Sequence, residues 1–189
     1  FELKYKESTA YNENIVKFHE WRAAARLATK PIEGLETSGV WSPVKWPDVN
    51  SCTVKQIANK QPPGKILLVT AEAAAAGDKS AICRIDLKPI DLDDKKEISF
   101  LASHNSEQPL KIAFGLLATD QYYETVPVPV KGNGWYENTI KIEGAVFKSA
   151  ATGFLNFDQE LKAKDVKMLV ILVYTTGAYE LKIDGIQLK

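Results

Sequence analysis

The spacing of apolar residues along this 189-residue chain changes near Gly34. Before that point, Asn12–Thr29 contains neither Gly nor Pro, and its apolar residues recur at helical spacing. This pattern predicts one amphipathic α-helix, which Pro31 and Gly34 would end. We therefore interpret 1–34 as a helical segment, either an extension or the end of a preceding domain. The second part of the chain, 35–189, has a different pattern.

After Gly34 the chain consists of short apolar runs separated by turn residues, with no helical pattern between them. The runs with the length and composition of strands are Thr53–Ile57, Ile66–Thr70, Ser80–Leu87, Glu97–Ser103, Lys111–Leu117, Tyr122–Val130, Asn138–Glu143, Lys167–Thr175 and Tyr179–Leu188. Many strands at this spacing predict an all-β fold, either an antiparallel β-sandwich or a barrel.

Several runs also indicate which way their side chains face. The even-numbered residues of Leu110–Leu116 are apolar and share one face, because side chains alternate along a strand. The segment Met168–Tyr174 is apolar on both faces, as expected for a central strand. Pro127 and Pro129 lie at alternate positions and lack N–H groups on the same side. They predict an edge strand or an irregular connection.

Charge and hydropathy exclude some classes of partner. The 24 basic and 24 acidic residues cancel, which argues against a nucleic-acid partner and fits an uncharged ligand better. No apolar run approaches the roughly 18–20 residues of a membrane span, so we expect no membrane partner. The start at Phe1 carries no signal-like segment and favours a piece of a longer polypeptide.

The order of several short motifs resembles that of a known family. These motifs are Leu35-Glu36, Ile66–Thr70, Cys83–Leu92, Glu97–Phe100, Tyr122–Thr125, Gly134-Trp135 and Leu181–Leu188. From about Lys65 to Lys189 the chain resembles the jelly-roll carbohydrate-binding modules, of the galactose-binding-like superfold, that are attached to polysaccharide-degrading enzymes. The resemblance implies a jelly-roll sandwich, and a polysaccharide or oligosaccharide as ligand. It also implies a covalently linked glycoside hydrolase domain and a secreted, extracellular or cell-surface location.

Two placements of a sugar site remain open. Sugar recognition combines an aromatic ring against the C–H face of the sugar with planar polar side chains on its hydroxyls. In the first placement, Trp41 and Trp46 form a platform on a proline-stiffened loop, although both indoles could instead cover one end of the core. In the second, Tyr122 and Tyr136 lie on a sheet face. The predicted polar partners are Lys111, Glu124 and Asn138, of which Glu124 would share a face with Tyr122.

A calcium site follows only from the resemblance. Relatives of this fold carry a structural calcium near the chain ends, and Glu36 and Asp184 match its ligands in order. Alternatively, Asp184 bonds backbone amides at a bulge where Gly185 shifts the register. Cys52 and Cys83 either form a disulfide or are two reduced residues.

Nothing in the sequence predicts catalysis. No motif nominates a carboxylate pair, and neither His19 nor His104 lies near a nucleophile motif. We therefore predict a non-catalytic binding module. The alternative is a structural or protein-interaction β-sandwich domain of a larger extracellular enzyme. A less favoured third reading is a small jelly-roll lyase or hydrolase, which would need two carboxylates or a Tyr-His-Lys group in one groove.

Overall fold

The computed structural model describes residues 34–35, 39–60, 63–73, 78–118, 121–161 and 165–189, without the side chains of 63 and 85–88. The helix predicted at Asn12–Thr29 lies outside the described residues, and so does Glu36. In the described part of the chain, no helix has the length and hydrophobicity of a membrane span.

Within these ranges the chain forms twelve β-strands and one 3-10 turn, Ala150–Thr152. The strands are β1 Trp41–Pro43, β2 Thr53–Lys60, β3 Pro63–Ala71, β4 Lys79–Asp91, β5 Glu97–His104, β6 Leu110–Ala118, β7 Gln121–Glu124, β8 Val128–Val130, β9 Tyr136–Lys141, β10 Lys148–Ser149, β11 Asp165–Tyr174 and β12 Tyr179–Leu188. The seven-stranded sheet has the order β1-β4-β11-β6-β7-β10, with β8 paired to β6. The five-stranded sheet has the order β2-β3-β12-β5-β9. The predicted antiparallel β-sandwich is confirmed.

Each of the nine predicted strands overlaps an observed one, and one of them is divided. The run Tyr122–Val130 breaks after Glu124 and resumes at Val128, because Pro127 lies in the gap. Among the described strands, β8 pairs with β6 alone, so the predicted irregular connection and edge strand are both present. The sequence pattern missed β1 and β10, which have three and two residues and are too short to show alternation.

The core lies between the two sheets. β6 contributes its even-numbered residues to it, as predicted, and the rings of Phe100 and Phe114 meet there at 5.4 Å between centroids. β11 lies between β4 and β6, which confirms its central position. Its odd-numbered Leu169 and Ile171 point into this core, while Val170 and Leu172 belong to a second apolar cluster. The sandwich therefore has an apolar surface on the outer side of its seven-stranded sheet.

Candidate functional site

The outer side of the seven-stranded sheet, which we call the outer face, has an apolar floor. Its fully buried members come from the three central strands: Ala81, Ala113, Val170 and Leu172. The connection after β1 lies over this floor and packs Val44, Trp46 and Val49 against it. The amide of Val44 donates to the carbonyl of Ala81 at 2.9 Å and holds the connection against β4. The indole of Trp46 is therefore fixed above the sheet.

Three aromatic rings meet on the outer face, and Tyr122 is the central one. The centroids of Trp46 and Tyr122 are 5.5 Å apart with the rings at 83°, and those of Tyr122 and Phe154 are 5.8 Å apart at 60°. A Cβ atom on Gly115 would lie 2.0 Å from the Tyr122 hydroxyl, so the ring needs a glycine beneath it. That hydroxyl is buried and has no hydrogen-bond partner among the described residues. It packs against Gly115 beneath the ring and is closed off from solvent.

A buried polar pair lies beside these rings. Glu124 is only 4% exposed, and its carboxylate accepts a hydrogen bond from the Tyr174 hydroxyl. Burial raises the pKa of Tyr174 far above its ordinary value, and the bond to Glu124 raises it further. Burial likewise raises the pKa of Tyr122, with a smaller contribution from the charge of Glu124. Both hydroxyls therefore keep their protons near neutral pH, and that of Tyr174 donates to Glu124.

An ion pair anchors the connection that carries Trp46. The Lys79 ammonium lies 2.9 Å from the Asp48 carboxylate and 6.0 Å from the centroid of the Tyr174 ring. The hydrogen bond from Lys79 holds the pKa of Asp48 below its ordinary value. Lys111 is exposed and lies opposite Tyr174 in the strand register. The polar edge of the outer face thus offers both charged and neutral hydrogen-bonding groups.

The structure brings four of the predicted site residues together: Lys111, Trp46, Tyr122 and Glu124. As predicted, Tyr122 and Glu124 share a face. Trp41 is 7% exposed and packs in the core between the sheets, so it forms no platform with Trp46. The reason is local, because Trp41 begins β1 and pairs with Arg84, which turns its indole inward.

The remaining two predicted residues lie in the other sheet. Tyr136 and Asn138 belong to β9, the edge strand of the five-stranded sheet. The Asn138 amide donates to the Tyr136 carbonyl at 2.9 Å, and the Lys131 ammonium lies 5.6 Å from the centroid of the Tyr136 ring. Tyr122 and Tyr136 therefore do not form one surface, because their strands join different sheets.

Sequence reasoning missed two residues of the outer face. Tyr174 ends the strand that is apolar on both sides, so its pattern carried no sign of a polar role. Phe154 follows a 3-10 turn in a segment without periodicity, and no sequence signal marks it. His104 does not join the face: it is buried, and its Nε2 bonds to the Val130 carbonyl at 3.0 Å.

Asp184 lies at a bulge, as the second interpretation of this residue predicted. The register between β12 and β5 shifts between Asp184 and Gln187, and Gly185 adopts a positive φ of 59°. The buried carboxylate of Asp184 accepts from the Gly185 amide at 2.9 Å. Among the described residues, no three acidic, His or Cys side chains converge as metal ligands would. With Glu36 outside the described residues, calcium stays a prediction.

The two cysteines are free, which decides between the two alternatives for them. Cys52 packs against the core between the sheets, whereas Cys83 lies on the outer face. The Cys52 thiol donates to the Ala81 carbonyl at 3.5 Å, and the Cys83 sulfur lies 3.6 Å from the Ser42 hydroxyl. Neither residue cross-links the sandwich.

Comparisons of the sequence with known proteins identify no relative. No protein-family model matches the chain, and no curated protein matches it significantly. The two sheets define a jelly-roll β-sandwich, and this fold is well represented among solved structures.

Several of those structures are carbohydrate-binding modules, as the motif order predicted. The family 11 module of the cellulase Lic26A-Cel5E of Clostridium thermocellum superimposes with a TM-score of 0.59, at 11% identity over 84% of this chain and 92% of the module. The module CBM28, specific for non-crystalline cellulose, superimposes with a TM-score of 0.56, at 10% identity over 84% of this chain and 96% of the module. A CBM27 module of Caldicellulosiruptor saccharolyticus, solved with mannohexaose, superimposes with a TM-score of 0.53, at 10% identity over 82% of this chain and 91% of the module.

The same fold occurs inside larger chains. This chain matches PfGH50B with a TM-score of 0.58 at 19% identity, over 82% of its own length but 23% of that protein. It matches an exo-β-agarase with a TM-score of 0.52 at 9% identity, over 74% of its own length and 22% of that protein. At these identities the likenesses establish a shared fold, found both as separate modules and as about a quarter of longer proteins.

Proposed function

We propose that this chain is a non-catalytic carbohydrate-binding module whose glycan site is the outer face. The observation that carries the proposal is the Tyr122 ring, held between Trp46 and Phe154 beside the buried Glu124–Tyr174 pair. Rings supply apolar surface for the C–H face of a sugar, and the polar groups supply hydrogen bonds to its hydroxyls. Both parts of sugar recognition thus lie on one surface.

The ring geometry favours a single glycan chain over a flat crystalline surface. The rings of Trp46 and Phe154 stand at 83° and 60° to that of Tyr122, so the three rings do not present one flat plane. A chain lying across these rings would run beside the half-buried Tyr174. The exposed Lys111 would contact it from the edge.

The role we propose is to hold a linked enzyme near its polysaccharide, outside the cell. A weak binder joined to a catalytic domain raises the local concentration of substrate without taking part in the chemistry. The occurrence of this fold within PfGH50B and the exo-β-agarase supports a covalent arrangement of this kind.

Affinity electrophoresis and calorimetry against soluble polysaccharides test the proposal. The panel contains a mixed-linked β-glucan, a soluble cellulose derivative, a β-mannan and melted agarose, together with microcrystalline cellulose in a pull-down. We expect one soluble glycan to retard the protein and no retention on the crystalline surface. Absence of binding to every member of the panel would contradict the proposal. Retention on crystalline cellulose alone would contradict the argument from the non-planar rings.

A further inference from the structure

The loop that carries Phe154 leaves the edge of the seven-stranded sheet after β10 and is closed by hydrogen bonds. Phe147 and Gln159 close its base with two backbone hydrogen bonds, of 2.8 Å and 3.1 Å. At its start, the buried Ser149 side chain accepts from the Ala151 amide at 3.3 Å and caps the 3-10 turn. The Ser149 carbonyl then accepts from the Phe154 amide at 3.0 Å. These bonds fix the backbone at Phe154.

The backbone of this loop is strained at one residue. Gly153 has φ 59°, which a glycine adopts without cost. Phe154 has φ 60°, a left-handed conformation that is unfavourable for a bulky side chain. Residues held in such conformations persist where the surrounding structure requires them, and they are often found at ligand-binding sites. An asparagine would adopt this φ more easily, so the phenylalanine is present at the expense of local stability.

The strained turn presents apolar side chains to solvent at the rim of the outer face. Phe154 remains 39% exposed although its ring contacts Tyr122, and the following Leu155 is 79% exposed. A residue that only covered Tyr122 would gain most from complete burial. The exposed side of the ring and Leu155 instead form an apolar ledge next to the Trp46–Tyr122 ring pair.

We propose that Phe154 and Leu155 form a second apolar subsite, which takes the C–H face of a pyranose unit next to the one held at Trp46 and Tyr122. This inference rests on the proposed function and extends it to the length of ligand required. Both ledge side chains are apolar, so they would contact the C–H face of the sugar and leave its hydroxyls to other groups. The site then needs at least two consecutive sugar units for full affinity.

Two variants of the ledge and one control test this subsite. Phe154→Asn removes the ring and relieves the left-handed backbone, and Leu155→Asn removes the second apolar group. Val40→Asn is the control, because Val40 is 81% exposed and precedes β1, at the opposite end of the seven-stranded sheet from β7. Affinity is measured by calorimetry on the polysaccharide that the wild type binds and on its oligosaccharides of increasing length, and stability by the melting temperature.

For Phe154→Asn we expect the affinity for the polysaccharide to fall about tenfold, a typical loss for a truncated contact residue. The melting temperature should stay level or rise by about a few degrees, because the strain is relieved. The affinity of Leu155→Asn for the polysaccharide should fall about threefold, and that of Val40→Asn should not change. The variants should also lose the gain in affinity that the wild type shows between the shortest oligosaccharide bound and the next longer one.

The outcomes separate this inference from the proposed function. If the wild type binds no glycan, the proposed function fails. If the wild type binds and both ledge variants bind equally well, only the second subsite is refuted. A lower melting temperature of Phe154→Asn with unchanged affinity per folded molecule would show that Phe154 merely covers Tyr122, and would also overturn the inference.

Discussion

Two tyrosines of this sandwich have similar sequence surroundings and very different structural ones. Tyr122 lies on the outer face above Gly115, and Tyr136 lies at the edge of the five-stranded sheet near Gly134. A Cβ atom added to Gly115 would lie 2.0 Å from the Tyr122 hydroxyl, whereas a Cβ atom added to Gly134 would lie 3.3 Å from the Tyr136 ring. Tyr122 has two aromatic neighbours, while the described contact of the Tyr136 ring is with the Lys131 ammonium.

The difference between the two regions comes from the connections that border them. The segment after β1 lies over the seven-stranded sheet and brings Trp46, and the loop after β10 brings Phe154 from the other side. In the described residues, no ring contact joins Tyr136 to an aromatic residue of a neighbouring loop. Strand alternation sets the direction of a side chain, but a binding surface also needs loops that bring further rings to the same side.

The largest expected difference between the two regions is in glycan affinity, and it is measured by removing one ring from each region. Trp46→Ala should weaken glycan binding about 30-fold, equivalent to about 2 kcal/mol, because a central aromatic contact is lost. Tyr136→Ala should change the affinity by less than about twofold. Calorimetry on the polysaccharide bound by the wild type measures both values. Equal losses in the two variants would remove the distinction between the regions, and a loss confined to Tyr136→Ala would reverse it.

The two glycines give a second contrast, in stability. Gly115→Ala forces the Tyr122 ring to move and should lower the free energy of unfolding by about 1.5 kcal/mol, a typical cost of overpacking. The added methyl group of Gly134→Ala has more space and should change the free energy of unfolding by no more than about 0.5 kcal/mol. Urea unfolding gives both values. If Gly115→Ala is as stable as the wild type and keeps full glycan affinity, the ring does not need its present position.

The sequence predicted the floor of the site better than its walls. The apolar pattern of Met168–Tyr174 predicted a central strand, and alternation predicted that Glu124 and Tyr122 share a face. These predictions depend on local geometry alone. Trp41 and Trp46 could not be separated, because β1 has three residues and shows no alternation.

Long-range topology explains what the sequence could not predict. Tyr122 and Tyr136 lie in strands of similar pattern, and only the order of strands in the sheets places them apart. Phe154 reaches the outer face through a turn with positive φ, which no composition or periodicity indicates for a phenylalanine. Residues on long strands were therefore predictable, whereas those on short strands and turns were not.

The smallest expected effect concerns one ion pair in each region. The Lys79–Asp48 pair, at 2.9 Å, anchors the connection that carries Trp46, whereas Lys96 and Glu143 lie 3.9 Å apart beside β5 and β9 with both side chains exposed. Asp48→Asn should lower stability at neutral pH by about 0.5 kcal/mol and weaken glycan binding slightly, since the pair is partly screened by solvent. Glu143→Gln, the matched control, should leave both unchanged.

The pH dependence of this effect follows from the lowered pKa of Asp48. Its main cause is the hydrogen bond from Lys79, so the folded protein favours the charged carboxylate. The contribution to stability is therefore present above the ordinary aspartate pKa of 3.8 and disappears as the pH falls through the lower pKa of the folded state. Unfolding curves of the wild type and Asp48→Asn should converge at the acid end of this range. A difference that persists there would assign the effect of Asp48 to packing instead of charge.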